Sequence, residues 1–148
     1  MPGKYNSMYR MKPQSRPQPQ EYPGDPAPAG TQNRAISIRQ PYVEAILRGI
    51  KKIEYRSQPT RIRGRVYLYA SLKPGDPAYY SQMNVEPGIL QTGVLLGTVE
   101  IVACIGVPGD YEYHLANPER LPEPIKPEKH PQPVWFKPFL DETASPNN

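Results

Sequence analysis

The chain has 148 residues, the length of one ordinary domain, and 21 of them are proline, about 14% against an average usage near 5%. No apolar run reaches the roughly 20 residues of a membrane-spanning helix, and the polar, tyrosine-rich segment Met1 to Met11 offers no secretory signal. The single cysteine, Cys104, excludes a disulfide framework and any site built from several thiolates, so a cytoplasmic location without membrane contact is expected.

The net charge of +4 is unevenly spread. Residues 34–107 carry ten basic and five acidic side chains, whereas residues 108–148 carry four and seven. Nine Lys or Arg fall between Arg34 and Arg65, against only Glu44 and Glu54. A density of this kind points to a phosphate-bearing or otherwise anionic partner, with ordinary surface solubility as the alternative.

In chain order, Met1 to Asn33 has no hydrophobic periodicity. Its Pro, Gln, Gly and Ala content buries too little apolar area to offset the entropy of ordering, which predicts a disordered tail over residues 1–33. Ala35 to Ile38 alternates as a short half-buried strand. Pro41 suits a first helical position, Val43, Ile46 and Leu47 recur at helical spacing, and Gly49 suits a left-handed cap, so a helix is predicted from Pro41 to Arg48. Ile53 to Arg56 alternates as a second strand and Arg65 to Ser71 as a third, with Val66, Leu68 and Ala70 on one face and Tyr67 and Tyr69 on the other. A helical turn is expected around Ala78 to Gln82.

Val94 to Val107 is the longest strand signal, with Gly97 and Gly106 placed for bends or bulges, and strict alternation puts Cys104 on the face of Thr98 and Glu100. Beyond it proline alternates with charge. The spacing there predicts only scattered anchors, among them Tyr111 and Tyr113, a short strand at Val134 to Phe136, and a frayed end over residues 140–148.

The densest polar cluster is Gly49-Ile-Lys51-Lys-Ile-Glu54-Tyr-Arg56. Glu54 and Arg56 stand two apart on one strand and share a face, with Lys51 at the turn before it. Two cations around a carboxylate can hold an anion while the carboxylate accepts hydrogen bonds from a base or sugar; the alternative is an ion pair at the surface.

Gly49, Lys51, Glu54 and Arg56 match the G-x-K-x-x-E-x-R signature, and the chain resembles the ASCH domain family (activating signal cointegrator homology) of the PUA-like superfamily. The blocks Ser37 to Tyr42, Arg63 to Ser71 and Gly97 to Ile101 resemble the family's blocks in order, so the resemblance spans about residues 34–139. It implies an α+β fold: a small PUA-like β-barrel of five or six mostly antiparallel strands with one bordering helix. It also implies a cleft in which Lys51, Glu54, Arg56 and Glu100 meet and bind RNA or a nucleotide-like ligand.

The expected ligand-binding set is Ser37, Arg39, Gln40, Lys51, Arg56, Arg61, Arg63, Ser71 and Tyr113. Arg39, Arg61 and Arg63 would sit at the rim, and Tyr113 would stack on a base. Family relatives that hydrolyse acylated cytidine carry a threonine where Glu54 stands, so their hydroxyl nucleophile is missing here. If the protein is an enzyme, the catalytic set is Lys51, Glu54 and Glu100. Lys51 would be an electrostatic anchor and Glu100, between apolar Val99 and Ile101, the general acid or base. The substrate would be an acylated nucleoside or RNA. No cofactor and no dedicated metal site are expected, apart from a divalent ion held by Glu54 and Glu100 if RNA is cleaved. A different class of function is a protein-interaction module that docks a protein partner through the tail and the proline-rich flanks.

Overall fold

The computed structural model describes residues 17–140. Seven strands and two short helices follow in order: β1 (Gln20–Glu21), β2 (Thr31–Arg39), α1 (Tyr42–Leu47), β3 (Ile53–Arg56), β4 (Gly64–Ser71), α2 (Pro77–Gln82), β5 (Val94–Val107), β6 (Asp110–Ile125) and β7 (Trp135–Phe136). Six strands form one path, β3-β6-β5-β4-β2-β7, and β1 adds to β5. Every ladder is antiparallel except β2 with β4. The sheet curls into a half-barrel, the fold class expected from the resemblance.

The curl brings the two ends of the path together without a ladder between them. β3 is one end, and β2 lies next to the other. β2 has a ladder with β7 only at Ala35 and Ile36; past them the Ser37 N–H donates to the Val134 carbonyl, and the Ser37 carbonyl is left for a side chain. There the Arg56 guanidinium donates to the Ser37 carbonyl at 2.8 Å. Side chains therefore bridge the seam, and a bridged seam leaves a cleft.

The core lies inside the curl. Ile36, Ile38, Val66, Leu68, Val99 and Ile101 pack with Val43 and Ile46 of α1, while Ala35, Tyr69, Leu95 and Phe136 form a second cluster on the other face. Gly97 lets α1 approach β5: a Cβ there would fall 2.4 Å from a Leu47 methyl and 2.5 Å from the Glu119 carbonyl. The amide oxygen of Gln40 accepts from the Glu44 N–H at 3.1 Å and caps the first turn of α1. Asp76 caps α2 through the Ala78 N–H at 2.9 Å.

Three expectations need correction. The segment from residue 17 to Asn33 is ordered. β1 lies antiparallel on β5 opposite Ile105 and Gly106, the Tyr22 N–H donates to the Cys104 carbonyl at 2.7 Å, and the Tyr22 ring meets Tyr111 edge-on at 5.9 Å. β2 likewise begins at Thr31, because Gln32 donates to the Arg63 carbonyl and Asn33 both donates to and accepts from Phe139. These are polar clamps, invisible to a reading of hydrophobic period. Residues 1–16, the rest of the expected tail, lie outside the described residues, as do residues 141–148 of the expected frayed end.

Second, the scattered anchors after Val107 are one strand of 16 residues, β6, which makes an extensive ladder with β5. Third, Cys104 belongs to the core face with Val99 and Ile101, because a register shift between Ile101 and Ala103 reverses the alternation.

Candidate functional site

The seam holds a cleft of about 660 Å³. β2 contributes Ser37 and Arg39, β3 contributes Glu54 and Arg56, and β4 with the residues after it contributes Tyr69, Ser71 and Lys73. Tyr42 closes one side, and the segment His130 to Val134 closes another. Three cationic side chains, Arg39, Arg56 and Lys73, face the single carboxylate of Glu54. The excess of positive charge favours an anionic ligand, and the tyrosines and Pro131 supply apolar surface.

Glu54 organises the floor. It is 8% exposed, with Arg56 Nε on one oxygen at 2.8 Å and Lys51 Nζ 3.5 Å from the other. Burying a carboxylate is tolerated only with such partners. Lys51 also donates to the Ile53 carbonyl at 2.6 Å and lies 5.6 Å from the Tyr42 ring centroid and 5.3 Å from that of Tyr55. The signature residues thus hold one another in place, and Arg56 reaches across to β2 with what remains of its donor fork.

The other wall is held as tightly. Ser37 donates its N–H to the Val134 carbonyl and its hydroxyl to the Gln132 carbonyl, both at 2.8 Å. Val134 sits at φ 58, a left-handed conformation that a β-branched residue rarely adopts.

Of the expected binding residues, Ser37, Arg39, Arg56 and Ser71 line the cleft, and Lys51 stands behind Glu54 and Tyr42. The others are placed elsewhere. Gln40 is 1% exposed and is spent on the helix cap and on the Gln91 carbonyl. Arg63 is 9% exposed and donates to the carbonyls of Thr60, Ile62 and Tyr22, clasping the N-terminal segment. Arg61 pairs with Asp25 of the same segment at 3.0 Å. Tyr113 is 1% exposed, so it stacks on nothing outside. Its hydroxyl donates to the Gln58 carbonyl at 2.6 Å, and burial pushes its pKa up to about 12.

Glu100 is also separated from the signature. It pairs with Arg65 at 3.3 Å, accepts from Asn117 at 3.1 Å and lines a different hollow beside Arg63 and Gly24. Glu54, Glu100 and Lys51 therefore line three different hollows rather than one. Among the described residues no cluster of three metal-ligating side chains occurs.

The sequence reading missed Tyr42, Lys73 and the segment from His130. Lys73 carries a usable signal, a lone cation just past the end of β4, where ligands gather in sheets. The His130 segment carries none, because its place depends on β7 pairing with β2.

The profile of the ASCH domain matches residues 36–138, most of the chain. The chain belongs to the ASCH domain family. This ASCH domain is 31% identical over 81 residues to activating signal cointegrator 1 of Homo sapiens and to that of Mus musculus. Each alignment takes in 47% of this chain and 14% of the relative. The chain thus spans a small part of the length of those curated relatives. The family is associated with RNA binding. No helix among the described residues is long and apolar enough to cross a membrane.

Proposed function

We propose that this ASCH domain binds RNA or a nucleotide in the seam cleft, in a cytoplasmic setting that suits its buried free thiol, Cys104. One observation carries the reading: the seam gathers Arg39, Arg56 and Lys73 around a tyrosine-lined cleft of nucleotide size with a single, already paired carboxylate. Arg39 and Lys73 are exposed at the mouth and meet phosphate, while Glu54 and Arg56, fixed below, orient the sugar or base. Tyr42 offers a ring to a base, and stacking of that kind contributes about 1 to 3 kcal/mol.

Fluorescence anisotropy with labelled single-stranded RNA tests this across a salt series. Each phosphate contact to a single strand contributes a slope of about −0.7 in log affinity against log salt. Arg39→Ala and Lys73→Ala should each weaken binding and flatten that slope, and Arg61→Ala should leave it as it is. Wild-type slopes in both cleft variants would sink the proposal.

A further inference from the structure

A second hollow, of about 420 Å³, adjoins the signature loop. Lys51 lines it, and the same ammonium lies 5.6 Å from the Tyr42 ring that lines the seam cleft, so one side chain partitions the two spaces. Their characters differ. The second hollow has apolar walls from Leu115, Ala116 and Pro118, two lysines, Lys51 and Lys52, and no carboxylate among its lining residues. Lys51 is engaged with Glu54, whereas Lys52 is exposed at the edge. Asn117, at φ 51, donates its amide N–H to Glu100, which fixes the side chain and leaves its oxygen as an acceptor.

Apolar walls with one amide acceptor and a cation at the edge suit a nucleobase attached to a phosphate better than a phosphate alone. A free mononucleotide occupies only one of the two spaces. We infer that the ligand of this domain is a single-stranded RNA segment at least two nucleotides long. One nucleotide lies in the seam cleft, the base of its neighbour lies in the second hollow, and the linking phosphate faces Lys52. The inference rests on the reading of the seam cleft given above and adds a second base site to it.

The test is isothermal titration of the full chain with each of the four nucleoside 5′-monophosphates and with the corresponding 5′-phosphorylated homodinucleotides. For at least one base, the dinucleotide should bind about ten-fold tighter than the mononucleotide, a gain of the size expected when one further base is buried against apolar walls. Ala116→Phe fills the second hollow from its wall, and Lys52→Glu reverses the charge at its edge. Each should remove that gain while leaving mononucleotide affinity within about two-fold. Lys52 is exposed, so its variant keeps the test valid even if Ala116→Phe fails to fold. Mononucleotides that bind while dinucleotides bind no better would overturn this inference and leave the seam reading standing. A gain that survives in both variants would place the second base elsewhere and also overturn it. Absence of binding by either ligand class would overturn the seam reading, and this one with it.

Discussion

Arg56 of β3 donates to the backbone carbonyl of Ser37 on β2 at 2.8 Å, and so ties together two strands that share no ladder. The same guanidinium holds Glu54 at 2.8 Å. One side chain therefore closes the half-barrel and shapes the floor of its cleft.

Removing that tie should be felt in stability and binding together. Arg56→Ala leaves Glu54 buried with only Lys51 beside it, a loss of about 2 to 4 kcal/mol for a broken, mostly buried pair. Arg56→Lys keeps the charge but cannot reach both partners, so it should recover less than half of the loss. Urea denaturation of the three proteins measures this. Full recovery by lysine would mean that charge alone matters at this position.

Glu44 sets the behaviour in acid. Burial pushes its carboxyl up, but hydrogen bonds from Arg120 and Arg48, with their charges, outweigh burial and hold it below the ordinary carboxylate value. The folded state thus prefers the ionised form. The stabilisation is present above the ordinary value of 4.5 and is lost as pH falls through the lower folded value. Glu44→Gln should be less stable than the wild type by about 1.5 to 3 kcal/mol near neutrality. The two unfolding curves should converge on acidification below pH 4.5. A gap independent of pH would remove this role.

Tyr113 gives the opposite limb. Its hydroxyl is buried and its pKa raised from 10.0 to about 12, so its protonated form stabilises the fold fully below pH 10 and ceases to do so as pH rises through about 12. Tyr113→Phe should be less stable by about 1 kcal/mol at neutral pH, having lost the bond to Gln58. Its stability should then fall less steeply than that of the wild type between pH 10 and 12, as followed by circular dichroism.

Val134 should be improvable. Its left-handed backbone is strained for a β-branched side chain, and that side chain is 38% exposed, so little packing is lost by replacing it. Val134→Asn should raise stability by about 1 kcal/mol, since asparagine tolerates this conformation. Because the Val134 carbonyl still receives the Ser37 N–H, the wall that it forms with β2 should keep its place. A lower melting temperature would refute the strain argument.

Much of the architecture was legible because it rests on local period. The helix around Val43 and Ile46, the strands at Ile53, Val66 and Val94, and the two faces of β4 follow from spacing alone. β6 was not legible, because Pro118, Pro122 and Pro124 read as breakers. β6 pairs with β3 from Tyr111 to His114 and through the Leu115 N–H to the Lys52 carbonyl, and beyond that no strand among the described residues pairs with its outer edge. A residue without an N–H fits there without breaking a ladder.

The site was legible where the signature is contiguous, in Lys51, Glu54 and Arg56. It failed where a role depended on distant pairing. Arg61 and Arg63 were read as rim cations, yet they hold a segment some forty residues earlier in the chain, with separations of 36 for Arg61 to Asp25 and 41 for Arg63 to Tyr22. Tyr113 was misread against its own alternation, because Tyr111 and Tyr113 share the inward face.

The clasp on that early segment has a consequence for where the domain ends. The family match begins at residue 36, yet Tyr22 fills an edge of the core, Gly24 lies against the Arg63 side chain so closely that a methyl group would fall 2.5 Å from it, and Gln32 and Asn33 bind loops at both ends of the fold. A fragment cut at residue 36 would leave the Arg63 guanidinium short of an acceptor and the β5 edge at Ile105 bare, an invitation to pairing between molecules. The stretch that homology outlines is shorter than the unit that folding closes.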